Sequence, residues 1–205
     1  KGHICAKSHY QHRHWVALGR TCKKTPIWYN YNTMPQKPNK SAISPKSKGT
    51  ALPSFESTQL VKKLLTEISD RAREVLTLRF GLGTTSERET LEAIGERWSI
   101  TRERVRQIEA AAIEAVRASK AFKDAKPAFD ELSDYIESQG GILPEDHLLS
   151  GLANDEKTRN RFRFLLVVGS AFFSERETEE FFARWHVNQA TANKVHAALS
   201  SLYSS

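Results

Sequence analysis

The sequence predicts a mainly α protein: a small helix-turn-helix domain, then a winged-helix-like α domain with one β-hairpin, both behind a disordered basic arm. Three observations carry this reading. Between Ser57 and Arg117, apolar residues recur at helical spacing in runs separated by glycines or polar loops. From Phe129 onward, helical runs are interrupted by one stretch, AFFSERETEEFFARWHV, whose apolar residues alternate around a charged centre. From Met34 to Pro53 the chain is rich in Lys, Pro and Ser and poor in the large apolar side chains that a core requires.

The charge balance sharpens the division. Of the 31 Lys and Arg, ten lie in residues 1–50, which contain no Asp or Glu; the remainder holds 21 basic against 24 acidic residues. The net charge of +7 is therefore a property of the arm. Any specific grip on nucleic acid must come from local placement of side chains. No run of about 18 apolar residues is present, so no membrane-spanning helix is expected. Two cysteines, Cys5 and Cys22, make no disulfide framework, and a cytoplasmic setting at the bacterial nucleoid is the expectation.

Residues 1–33 carry both cysteines and four of the seven histidines. His3, Cys5, His9, His12, His14 and Cys22 are all chemically able to bind zinc, but no Cys-x-x-Cys pair or helical His spacing supports it, and no metal or cofactor is expected. The only methionine is Met34, and the composition changes there, so residues 1–33 are expected to lie upstream of the true start. Residues 34–53 read as a flexible basic tail, and the whole arm is placed at 1–55.

The helix-turn-helix domain is placed at 56–122. Ser57 is expected to cap a helix bearing Leu60, Val61, Leu64, Leu65 and Ile68, and Ser69 to start a second that Gly81 and Gly83 stop. After a polar loop at 84–89, Thr90 caps a third helix and Thr101 a fourth. Leu76, Phe80, Leu91, Ile94, Trp98, Ile100, Val105 and Ile108 are the expected core. On the fourth helix Val105, Ile108, Ala112 and Val116 share one face, whereas Arg102, Glu103, Arg106, Gln107 and Ala110 share another. Arg and Gln match base edges in the DNA major groove, where a helix-turn-helix lays the N-terminal end of its second helix.

The run RFGLGTTSERETLEAIGERWSITRERVRQIEAAAIEAVR, residues 79–117, resembles region 4 of the primary sigma-70 type bacterial sigma factors, the part that reads the minus-35 promoter element. The resemblance implies base-edge contacts from Arg102, Glu103 and Gln107. It implies phosphate or positioning contacts from Thr90, Thr101, Arg104 and Arg106. Double-stranded promoter-like DNA is the implied partner, together with core RNA polymerase, whose beta flap region 4 grips through its N-terminal helices, here roughly Leu60 to Phe80. Ala93 departs from the family, where that position is usually acidic or Gln, and removes the reciprocal half of a capping box. Nothing before Ser57 resembles region 2, the part that opens DNA, so a promoter reader rather than a complete sigma factor is expected.

The second domain is placed at 126–205. Phe129, Leu132 and Ile136 mark a helix stopped by Gly140 and Gly141, and Pro144, Glu145 and Asp146 open another. RNRFRFLLVVG continues as a third helix. The alternating stretch forms a hairpin with Phe173, Phe181 and Trp185 inward, and Asn188 caps a last helix. This is a winged-helix plan and it resembles the HARE-HTH domains. Its 8 basic against 12 acidic residues favour a protein-binding or regulatory role over a DNA grip, with Arg159, Arg161 and Arg163 the one basic cluster.

No Gly-rich phosphate loop or catalytic carboxylate pair occurs, and no Ser/His/Asp or Cys/His arrangement lies outside the arm, so an enzyme is not expected. The competing expectation is an interaction module that binds polymerase or another regulator while its DNA face stays idle.

Overall fold

The computed structural model describes residues 52–179 and 181–203. The expectations about zinc ligands and Met34, and the arm up to residue 51, concern residues outside that range; of the arm's last residues, Ser54 donates its amide to Glu131 at 2.8 Å and Phe55 packs against Phe162 at 5.9 Å, so ordered chain begins ahead of residue 56. Four helices, α1 (Ser57–Thr66), α2 (Asp70–Phe80), α3 (Leu91–Trp98) and α4 (Arg102–Ala118), come first. After them come α5 (Lys120–Asp124), α6 (Lys126–Ser138), β1 (Ile142–Pro144), α7 (Glu145–Leu152), α8 (Glu156–Val168), β2 (Phe173–Glu175), β3 (Arg184–His186) and α9 (Gln189–Tyr203). The described residues are thus mainly α, with one three-stranded antiparallel sheet of order β1-β3-β2. Among them, no helix is long and apolar enough to cross a membrane.

The helix ends follow local chemistry. The Thr90 hydroxyl accepts from the Ala93 amide at 3.2 Å and the Thr101 hydroxyl from the Arg104 amide at 3.1 Å. Asp155 accepts from the Thr158 amide at 2.8 Å, and Asn188 from the Ala190 amide at 2.8 Å. Gly81 closes α2 in the left-handed region, φ 62°, where a Cβ would also lie 2.6 Å from the Ser86 carbonyl oxygen. At α1 the expectation needs correcting. Ser57 is the first residue of the helix and is buried, while Glu56 precedes it without a side-chain capping bond. The short α5, capped by the Ser119 hydroxyl, was not read from the sequence.

The hairpin also differs by one residue. Trp185 is buried as expected, but Phe173 pairs with His186 on the other face and is 48% exposed, and Phe172 takes the buried place. A strand has period two, so a choice between adjacent phenylalanines reverses every side. Phe181 lies half-buried beneath the Arg184 guanidinium, 4.6 Å from ring centroid to Cζ.

Two apolar clusters hold the described residues together. The smaller one has Val75, Ile94 and Val105 at its centre, with Leu78, Leu91, Trp98, Ile100 and Ile108 packed around them. The larger runs from Leu64, Leu76, Phe80, Ala112 and Val116 to Phe129, Leu132, Phe162, Phe164 and Leu165. Leu76 and Phe80, expected in the helix-turn-helix core, instead face this larger cluster, and Phe80 meets Phe164 edge to face at 5.4 Å. Apolar packing is therefore continuous across the sequence boundary placed between residues 122 and 126.

Candidate nucleic-acid interface

Helices α3 and α4 meet through a three-residue turn, Ser99 to Thr101, whose shape depends on two residues. Gly95, buried in α3, lets the turn come close: a Cβ there would stand 2.7 Å from the Ile100 carbonyl oxygen. Ser99 sits in the left-handed region at φ 54°. An L-residue with a side chain is disfavoured there, so Ser99→Gly is expected to raise stability by about 0.5–1 kcal/mol, after allowing for the greater freedom of glycine in the unfolded chain. Chemical denaturation measures it, and a loss of stability would show that the Ser99 side chain contributes more than the backbone relief.

Val105, Ala112 and Val116 hold α4 against the body, with Ile108 half-buried beside them. Arg102, Glu103, Arg104, Arg106 and Gln107 are exposed on the first two turns. The structure brings most of the predicted site residues into one polar network. Glu103 accepts two bonds from Arg106, at 2.8 and 2.7 Å, and a longer one from Gln107 at 3.4 Å. The hydrogen bond from Arg106 holds the Glu103 carboxyl below the usual carboxylate range, and Glu103 in return raises the Arg106 guanidinium. Arg104 donates to Gln107 Oε1 at 3.2 Å. Arg102 pairs with Glu92 of α3 at 2.9 Å, so it stands apart from the network. Thr90 and Thr101 use a lone pair of their hydroxyls on helix amides, which leaves each hydroxyl hydrogen available as a donor.

The supports of this site were missed in the sequence. Arg79 donates to the Glu89 carbonyl at 3.2 Å and pairs with Glu109 of α4 at 3.4 Å, while Arg97 of α3 pairs with the Glu89 carboxylate at 2.6 Å. These bonds tie the loop ahead of Thr90 to α2, α3 and α4. Arg71 lies over the Trp98 ring at 5.4 Å. A polar loop shows no apolar periodicity, so its order is revealed in three dimensions by the bonds that Glu89 accepts from Arg79 and Arg97.

The basic cluster Arg159, Arg161 and Arg163 is engaged within the fold. Arg159 donates to the Ala153 carbonyl at 2.9 Å, Arg161 to Thr158 at 3.0 Å, and Arg163 to Glu145 at 2.9 Å and Asn160 at 2.7 Å. It offers no open basic face.

Two helices set across a short turn, the first held close by a glycine and the second presenting polar side chains outward, define a helix-turn-helix unit. Residues 64–118 match the family model of Sigma-70, region 4, so this stretch of the chain is similar to that region. Over 68 residues the chain is 43% identical to the RNA polymerase sigma factor SigA of Clostridium acetobutylicum, covering 33% of this chain and 18% of that protein. It is 47% identical over 57 residues to the RNA polymerase sigma factor SigA of a Nostoc species, 28% of this chain and 14% of the relative. It is 41% identical over 58 residues to the RNA polymerase sigma factor RpoD of Helicobacter pylori, 28% of this chain and 9% of the relative. The chain thus spans less than a fifth of the length of these relatives.

Proposed function

We propose that the protein is a sequence-specific DNA-binding transcription protein that reads minus-35-type promoter DNA in the major groove, in company with RNA polymerase, and that it carries no enzymatic activity. The observation that carries this reading is the exposed face of α4: a unit similar to region 4 whose Arg102, Glu103 and Gln107 stand clear of the body on the first two turns. Arg102 suits bidentate contact with guanine, Gln107 with adenine, and Glu103, held ionised by Arg106, accepts from the cytosine amino group. Thr90, Thr101, Arg104 and Arg106 set the register through phosphates. The existing ion pairs of this face are exposed and contribute little, so exchanging them for DNA contacts is cheap. In this reading residues 56–122 recognise DNA and residues 126–205 serve a protein-binding or regulatory role.

The same pairs are what an idle DNA face would show, and gel-shift titration separates the two. Minus-35-like duplex should bind more tightly than a scrambled one. Arg102→Ala or Gln107→Ala should each lose about 1–3 kcal/mol of discrimination at one or two base pairs. Arg104→Ala should weaken all sequences alike and reduce the salt slope by about one. Equal binding of both duplexes, unaffected by these substitutions, would leave the interaction module as the correct account.

A further inference from the structure

The three-stranded sheet has two faces, and the residues of its central strand β3 divide between them by alternation. On the inner face Trp185 pairs with Leu143 of β1, and both belong to the larger apolar cluster. On the outer face Arg184 and His186 stand opposite Glu175 and Phe173 of β2. The second face of a small antiparallel sheet is ordinarily wet, yet Arg184 is 8% exposed and His186 only 1%. Helix α9 supplies cover on this side, its His196 meeting both Glu175 and Arg184.

Ionisable groups, not apolar ones, make this joint. Helix α9 contributes no residue to either apolar cluster, and among its described side chains only Ala192 is buried. Glu175 stands at the centre: its carboxylate accepts from Arg184 Nε at 2.7 Å and lies 3.4 Å from His196 Nε2 and 3.6 Å from His186 Nε2. The His186 ring stacks on Phe173 with centroids 5.4 Å apart, and the His196 ring tilts against Phe181 at 4.9 Å. The other ring nitrogen of His186, Nδ1, is buried without a hydrogen-bond partner.

That orphan nitrogen decides which charge state the joint tolerates. A neutral imidazole can turn its one N–H toward Glu175 and leave Nδ1 a bare acceptor, whereas an imidazolium makes Nδ1 a buried donor with nothing to receive its proton. One carboxylate would then face two buried cations, His186 and Arg184, with His196 beside them. Strand β1 brings no compensating charge, since it sets Ile142 opposite His186. Burial accordingly lowers the His186 pKa from the ordinary imidazole value; Glu175 opposes this, while Arg184 and His196 add to it.

We propose that α9 is an acid-released cover: protonation of His186 breaks the joint at Glu175 and lifts α9 from the outer face of the sheet. Of the elements that meet there, α9 is the one able to yield. Strand β3 is held from the inner side, where Trp185 lies in the apolar cluster and donates to Glu145 at 2.9 Å. With α9 lifted, water reaches the imidazolium and solvates it. Above about pH 6.5 His186 is neutral whether α9 is docked or lifted, so docking does not depend on pH. Below that, the lifted state takes up a proton that the docked state refuses, and lifting gains up to about tenfold per pH unit until the lower docked-state pKa is reached. The device is independent of the DNA reading, which concerns α4.

Amide hydrogen exchange of the full chain, corrected at each pH for the intrinsic rate of an unstructured peptide, tests it. Opening of residues 189–203 should be flat above about pH 6.5 and rise by up to about tenfold per unit below it, while α2 and α8 keep their protection. His186→Gln should abolish the rise. His196→Gln keeps the sensor but removes a contact, so the rise should persist from a higher starting level. NMR titration of the His186 ring in the parent needs no variant: the ring should take up its proton below about pH 6.5, over the range in which α9 loses protection. A ring that titrates while α9 stays protected overturns the proposal, and so does a rise that survives His186→Gln or vanishes in His196→Gln. Simultaneous loss of protection in α2, α8 and α9 also overturns it, because acid would then unfold the whole body instead of releasing its cover.

Discussion

Replacing Phe164 by Ala should lower the unfolding free energy by about 3–5 kcal/mol and should do so across both halves of the chain at once. Phe164 has no exposed surface and lies in the larger apolar cluster, which takes in residues of α1, α2 and α4 as well as α6, α7 and α8. Its removal leaves a cavity lined by side chains from both halves, edge-to-face contact with Phe80 included. Two tryptophans report on the two ends of this packing: Trp98 sits at the smaller cluster beside the turn, and Trp185 lies buried in β3. With the other tryptophans replaced by Phe, urea titrations followed by each reporter should shift together. A Trp98 transition that stays in place while the Trp185 transition moves would show that the halves fold as independent domains, as the sequence division at residues 122–126 expects. The size of the effect makes the outcome readable, because a whole domain of this kind has only about 5–15 kcal/mol of stability.

What the sequence made legible was local. Thr90, Thr101, Gly81 and Asn188 stand where helix-end chemistry puts them, because each acts on amides or backbone angles within a few residues of itself. The exposed side chains of α4 were legible for the same reason, since a single helix with one wet face declares that face in its spacing. The errors come where two packings compete. Helix α2 has apolar residues on two sides: Val75 and Leu78 face the smaller cluster while Leu76 and Phe80 face the larger, and a one-dimensional pattern does not say which neighbour each side meets. Adjacent phenylalanines at 172 and 173 leave the strand register open by one. The three residues of β1 are too few to show alternation. Asn160 and Arg163, polar residues inside a helix, look like a solvated face until their partners Ser86, Gly81 and Glu145 arrive from distant parts of the chain.

At Gly95 local preference and tertiary geometry give opposite signs, which makes Gly95→Ala the sharper test of the turn. In an isolated helix alanine is better than glycine by up to about 1 kcal/mol, and propensity alone has the substitution stabilise α3. In the fold, the new Cβ would stand 2.7 Å from the Ile100 carbonyl oxygen and 3.5 Å from the Arg102 amide nitrogen. The first of these is a backbone atom, and the Ile100 amide is itself bonded to the Gly95 carbonyl at 2.9 Å, so relief requires the whole turn to move. We expect a net loss of about 1–3 kcal/mol, the usual cost of overpacking a tight site. The displaced turn carries Thr101 and the start of α4 with it, which shifts Arg102, Glu103 and Gln107 away from the bases they are proposed to read. Discrimination between minus-35-like and scrambled duplexes should therefore fall, while binding that depends only on phosphates persists. Urea titration reads the stability and gel shift the discrimination. A more stable Gly95→Ala protein with undiminished discrimination would mean that α3 and the turn do not approach as closely as the buried glycine requires.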